Sequence, residues 1–193
     1  MRRPEPFDAT VISGFLYRQN LFSAAEETAF IALFKQLPFK PFEFRGYQGR
    51  RRVVSFGFRY DYGARRLRVA SPFPVALEPL KTIAAELSGL ETDSFVHALI
   101  TEYAPGAGIG WHRDKPMFRN IVALSFGAPC RLRFRRRFAR GWERKMITIE
   151  PRSGYCLSGH ARNVWEHSIP PMDGLRYSIT FRDFEPDYSG ADE

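Results

Sequence analysis

The stretch T-E-Y-A-P-G-A-G-I-G-W-H-R-D, residues 101–114, decides how this chain is read. A strand-like run with Phe95, Val96, Leu99 and Ile100 leads into a loop holding Pro105, Gly106, Gly108 and Gly110. The chain then delivers His112 and Asp114 two residues apart. In an extended segment residues i and i+2 point to the same face, so an imidazole and a carboxylate come side by side. Alone they make a weak metal site. A second histidine would complete a two-His-one-carboxylate face that leaves positions open on ferrous iron.

Downstream, His167 lies in S-G-H-A-R-N-V-W-E-H-S-I-P-P and is a candidate for that histidine, with His160 as its rival seven residues earlier. Beyond it, R-Y-S-I-T-F-R puts Arg176, Ser178, Thr180 and Arg182 on one strand face and Tyr177, Ile179 and Phe181 on the other. One reading is an edge strand with a solvated basic face. The other is a polar cavity wall whose guanidinium groups grip an anion through bidentate bonds. At roughly 3.3 Å per residue the two arginine Cα atoms stand about 20 Å apart, so both side chains must lean together to serve one small ligand.

H-x-D, a distal His and R-x-x-x-x-x-R, in that order, resemble the AlkB family of iron(II)- and 2-oxoglutarate-dependent dioxygenases. So do the surrounding Y-A-P-G-x-x-I-G-W-H-R-D and S-G-x-A-R-x-x-W-x-H-x-I-P-P, and the resemblance covers about residues 42–184. It implies His112, Asp114 and His167 as iron ligands, because His167 occupies the His of W-x-H-x-I-P-P while His160 falls in a variable slot. It implies Arg176 on the distal carboxylate of 2-oxoglutarate and Arg182 near the iron-bound end, a catalytic position with the three ligands. Tyr103 matches a co-substrate tyrosine, and Thr101 and Ser178 stand where well-known members carry Asn. Pro116 replaces a carboxylate that several repair members use to recognise the alkylated base.

Residues 42–70 alternate aromatic and basic side chains, with glycines as turn or bulge points. Such interleaving suits nucleic acid, where Arg meets phosphate and rings stack on bases. It also suits a hairpin with core aromatics and a solvated arginine face. R-x-V-x-x-F-G-x-x-Y, Arg51 to Tyr60, resembles the family's nucleotide-recognition lid and makes Arg51, Arg52, Phe56, Phe58 and Tyr60 candidate substrate contacts. Trp111, Arg162 and His97 complete that set. Arg135, Arg136, Arg137, Arg140, Arg144 and Lys145 form a basic hairpin that is either a backbone-contact surface or a solvated one.

At 193 residues the chain is expected to be a single domain with a sizeable core. Net charge is +8, from 24 Arg and 5 Lys against 21 acidic residues, a balance that favours polyanions. Cys130 and Cys156 have neither metal spacing nor a disulfide framework and read as buried thiols of a reducing compartment. The first residues carry no signal-peptide run and no segment reaches membrane-span length, so the expectation is a cytoplasmic chain with no membrane partner. A monomer is expected.

Ser23 and Glu26 fit a capping box opening a helix over about 24–36, with Phe30, Phe34 and Leu37 on one stripe and Pro38 as its end. A second helix is expected over 72–89, stopped by Gly89. From 95 onward come strands at 95–103, 110–114, 120–126, 130–138, 145–150, 153–158, 163–168 and 176–184, and a frayed acidic tail over 185–193. That series is a jelly roll in a mainly β (α+β) chain, with flanking helices. The resemblance implies the same double-stranded β-helix in 93–184, preceded over 1–92 by an extension, helices and the lid.

The resemblance further implies an enzyme with Fe(II), 2-oxoglutarate and O2. It would oxidatively demethylate N-alkylated bases in DNA or RNA, preferably single-stranded, with release of aldehyde, succinate and CO2. Three alternatives are weighed beside it. The same chemistry could act on tRNA or a protein side chain, or a jelly-roll module could bind nucleic acid without catalysis. A cupin-like metalloenzyme would have no use for Arg176 and Arg182.

Overall fold

A computed structural model of the chain describes residues 12–44, 47–61 and 66–188, with backbone alone at 44, 47, 59–61, 66 and 67. Two sheets face each other. The larger holds β1 (Phe15–Arg18), β10 (Ser153–Leu157), β7 (Phe118–Gly127), β12 (Arg176–Phe184), β5 (His97–Tyr103), β3 (Tyr47–Asp61) and β2 (Lys40–Phe44) in that order, with β4 (Arg66–Val69) paired to β3. The smaller runs β6 (Ile109–His112), β11 (Glu166–Ile169), β8 (Cys130–Phe138) and β9 (Gly141–Ile149). This is the antiparallel double-sheet jelly roll expected of the strand series.

Helices α1 (Ala24–Phe34) and α2 (Glu78–Ser88) cover the outer side of the large sheet. The Ser23 hydroxyl accepts from Glu26 N at 3.2 Å, and the Glu26 carboxylate accepts from Ser23 N at 2.7 Å, closing the capping box. Phe30 and Phe34 then reach Phe126 and, from Phe34, Tyr177. Each such ring contributes about 1.5–3 kcal/mol by leaving water. α2 begins later than 72 because Phe73 precedes Pro74, which disfavours helical backbone at Phe73. A 3-10 turn over Val75–Leu77 leads into α2, with Pro79 in its first turn.

Two further expectations are corrected, and one pair of alternatives is decided. The aromatic and basic segment forms three strands, β2, β3 and β4, and Gly57 lies within the 15-residue β3, not at a turn between strands. The segment 163–168 opens as helix α3 (Gly159–Asn163), and only Glu166–Ile169 is extended. There Ala161 packs into the inner core, and its N–H reaches Ser13 O at 2.9 Å. Of the two readings of R-Y-S-I-T-F-R, the pairing favours the cavity wall over the edge strand: β12 pairs with β5 on one side and β7 on the other. Its Tyr177, Ile179 and Phe181 meet the helices, so its arginine face points between the sheets.

Among the described residues, no helix is long and apolar enough to cross a membrane, which says nothing of β-barrels. The N-terminal residues 1–11 and the tail from 189 onward lie outside the described residues.

Gly57 sets the bend of β3 opposite His97, with φ of +74°. A Cβ there would overlap the Val96 carbonyl oxygen, and the left-handed backbone alone costs about 1–2 kcal/mol for a residue with a Cβ. Gly57→Ala should therefore lower unfolding stability by roughly 2 kcal/mol or more. Gly141→Ala, whose added Cβ meets nothing within 4 Å, should stay within about 0.5 kcal/mol. Urea unfolding midpoints measure both, and equal losses would contradict the role given to Gly57.

Candidate active site

The register of the central strands builds the site's floor. Arg176 lies opposite Tyr103, Ser178 opposite Thr101, and Arg182 opposite His97, all buried on the inner face. The small sheet supplies the wall above it: His112 on β6 is the direct cross-strand partner of His167 on β11. Asp114 follows β6 by two residues. Ligand atoms of His112, Asp114 and His167 all lie within 4.8 Å of one another, with His167 Nε2 3.5 Å from Asp114 Oδ2.

The donor atoms are already oriented. His112 Nδ1 is 2.9 Å from Gly110 O. A carbonyl only accepts, so Nδ1 carries the proton and the Nε2 lone pair is free. Asp114 Oδ1 accepts from Arg182 Nε at 3.0 Å and Nη2 at 2.7 Å, which leaves Oδ2 facing the histidines. Burial works against the Asp114 charge, but Arg182 and the two imidazoles outweigh it and hold the carboxyl below its ordinary range. Burial first, then the neighbouring His112, pushes His167 down to about 3, so it is a neutral donor at ordinary pH. Two imidazole nitrogens and one carboxylate oxygen converging with an open side suit iron(II).

The two arginines differ in what satisfies them. Arg182 is fully engaged, donating to Asp114 and, through Nη1, to His97 Nδ1 at 3.1 Å. Arg176 is 1% exposed, and only its Nε is met, by Ser125 Oγ at 3.0 Å. Its Nη1 and Nη2 are buried without a partner, with the guanidinium 5.2 Å from the Tyr103 ring centroid. Such a buried fork fits a carboxylate. Ser125 and Tyr155, whose hydroxyl is raised by burial against the opposing pull of Arg176, were absent from the sequence reading. The alternation of S-G-Y-C-L was the available signal for Tyr155.

Three of the expected substrate contacts point elsewhere. Phe56 is 5% exposed and packs edge-on against Phe73 in the outer core. Trp111 precedes His112, so strand alternation sends it to the far side of the small sheet, against Arg133 and Arg135. Arg162 is buried, with Nη2 donating to the carbonyls of Lys115 and Phe118, so it staples the loop carrying Asp114. His97 is buried, stacked on Phe118 at 5.3 Å and held behind Arg182. Arg51 lies over Phe42, and Phe58 packs on Phe184. The Tyr60 side chain lies outside the described residues.

Arg52 binds Glu102 bidentately at 2.7 and 2.9 Å, and Tyr177 donates to the same carboxylate at 2.9 Å. This network pins β3 to β5. Pro116 is exposed on the loop after Asp114, and His160 contacts Arg136 away from the ligand cluster.

The family model described as the 2OG-Fe(II) oxygenase superfamily matches residues 9–182. The chain belongs to that superfamily. This oxygenase is 37% identical over 97 residues to "Uncharacterized protein L905" of Acanthamoeba polyphaga mimivirus, covering 44% of this chain and 46% of the relative. It is 28% identical over 145 residues to "Alkylated DNA repair protein ALKBH8 homolog" of Arabidopsis thaliana, covering 63% of this chain and 42% of that protein. It thus spans under half the length of these two relatives.

Among solved structures, "The structure of OsALKBH1" shares the oxygenase's fold with a TM-score of 0.65 at 14% identity, over 88% of this chain and 96% of the other. A 2OG-Fe(II) oxygenase family oxidoreductase from Burkholderia pseudomallei does so with a TM-score of 0.61 at 16% identity, over 89% and 84%. The oxygenase is AlkB-like, and its cofactor set is Fe(II) with 2-oxoglutarate and O2.

Acidification tests the buried histidines. Burial, then Arg182, holds His97 well below its ordinary value, and His167 is likewise lowered. The unfolded chain therefore takes up protons near pH 6.5 that the folded chain refuses, so stability is complete above 6.5 and is lost as pH falls toward about 3. Each histidine contributes a slope of up to about 1.4 kcal/mol per pH unit. Asp114, also lowered, adds its loss only below its ordinary 3.8. Urea unfolding of chelator-treated protein between roughly pH 6 and 5 should show this decline, with a shallower slope in His167→Asn. Identical slopes would contradict the neutral buried imidazole.

Proposed function

We propose that this oxygenase oxidatively dealkylates N-alkylated nucleobases, preferably in single-stranded DNA or RNA. The observation that carries the reading is the pair of unpartnered amino groups on Arg176, buried on the inner face of the large sheet, while the small sheet contributes His112 and His167 of the His112, Asp114 and His167 cluster. Those three side chains would hold iron(II). Arg182 fixes the Asp114 carboxylate, and Arg176 would take the distal carboxylate of 2-oxoglutarate, with Tyr103, Thr101 and Ser178 lining the channel between. When bound, iron(II) couples O2 to 2-oxoglutarate, giving succinate and CO2, while the N-alkyl carbon gains a hydroxyl and departs as aldehyde.

A base must reach that pocket unstacked. In a duplex this costs a few kcal/mol, which favours single strands. The charge of +8 and the arginine-bearing β3, with Arg51 and Arg52 at its start and Phe58 and Tyr60 beyond Gly57, support a nucleic-acid target. The curated relative named as an alkylated DNA repair protein supports the same class.

Succinate release from 2-oxoglutarate under aerobic iron(II), with and without a single strand containing 1-methyladenine, tests this. Turnover should rise with the methylated strand and fall below detection in Asp114→Ala and Arg182→Ala. Turnover indifferent to the strand would refute the nucleobase target, and no turnover with iron bound would refute the oxygenase activity itself.

A further inference from the structure

The small sheet has two faces, and the candidate site uses one. On the other, β8–β9 pairing sets Arg137 opposite Trp142, Arg135 opposite Arg144 and Arg131 opposite Thr148. Arg131, Arg133, Arg135, Arg137 and Arg144 thus share a face to which β11 adds one carboxylate, Glu166, bound to Arg135. Along β8 these arginines recur every second residue, about 6.6 Å apart, a spacing that extended backbone phosphates can follow.

The face is also aromatic. The Arg135 guanidinium carbon lies 4.6 Å from the Trp111 ring centroid and 4.2 Å from that of Trp142. Arg137 lies 4.3 Å from Trp142 on the same ladder. A guanidinium held over an indole can still offer N–H groups to phosphate oxygens and loses less freedom on binding. An acidic peptide would meet the charge but leave these rings unused. A single strand uses both, with phosphates on arginine and bases on aromatic faces.

We infer that the outer face of the small sheet is a second nucleic-acid surface, separate from the pocket, which binds single-stranded segments flanking the target base. Arg131, Arg137 and Arg144 take phosphates, and Trp142 takes a base. The inference rests on the nucleobase reading above, but its test needs no turnover.

Fluorescence anisotropy of an unmodified single strand of roughly 12 nucleotides, within the usual range of single-strand site sizes, measures it. The Arg137→Gln/Arg144→Gln double variant should bind about tenfold more weakly, with the salt slope of log K flattened by about 1.4, from about 0.7 per phosphate contact. Trp142→Ala should weaken binding about tenfold, and Trp142→Phe should restore most of it. Turnover of a methylated mononucleotide should be unchanged in all three, whereas KM for a methylated oligonucleotide rises in the first two.

Wild-type affinity and salt slope in the double variant would overturn the inference, as would equal competition by a polyglutamate of matched charge. If the unsubstituted protein binds no strand, the surface is refuted. Activity on the methylated mononucleotide then decides separately whether the nucleobase reading survives.

Discussion

A guanidinium sealed inside the barrel is the constraint on which the rest of this structure depends. Arg176 is 1% exposed, and Ser125 meets only its Nε, leaving both amino groups without a partner. An uncompensated buried cation costs several kcal/mol, and truncating it would be cheaper than keeping it unless an anion arrives. Its position on β12, hydrogen-bonded to strands on both sides, prevents escape to solvent. The fold thus holds open a place for a carboxylate, and Tyr103 and Tyr155 close the walls around it.

The other arginine on the same strand face has the opposite condition. Arg182 is saturated by Asp114 and His97, which turns it into a fixed support for one carboxylate oxygen. The His112, Asp114 and His167 cluster is therefore shared between sheets: the small sheet brings His112 and His167 together by pairing, and the large sheet aims Asp114 through Arg182. Arg162 adds a third restraint by holding the loop after Asp114 through two carbonyls. Helices α1 and α2 contribute by covering the far face of β12 and β7, so that only the inner face can be polar.

Much of this was legible in the chain. The period-two alternation of R-Y-S-I-T-F-R separated arginines from aromatics, and H-x-D with a distal histidine named a ligand set that the fold brings within 4.8 Å. What alternation could not give was the neighbour on each face. Trp111 lies next to His112 in sequence and Phe56 within R-x-V-x-x-F-G-x-x-Y, but Phe56 faces the helices and Trp111 the outer sheet surface. Glu102 was passed over, although a carboxylate in the apolar run L-I-T-E-Y signals a partner, and Arg52 and Tyr177 provide it from distant strands. The helix at Gly159–Asn163 was missed because its five residues are too few to show a period and are fixed by contacts with the chain near Ser13.

In the proposed function Arg176 would take the distal carboxylate of an acid whose other end reaches the His112, Asp114 and His167 cluster. Anaerobic calorimetric titration of the iron(II)-loaded protein with 2-oxoglutarate and with 2-oxobutyrate, which lacks only that carboxylate, measures it directly. Truncating one partner of a buried charged pair costs about 2–5 kcal/mol. One 2-oxoglutarate should bind per chain and 2-oxobutyrate at least roughly 30-fold more weakly, with the difference abolished in Arg176→Met. Equal affinity for the two acids in the unsubstituted protein would contradict it.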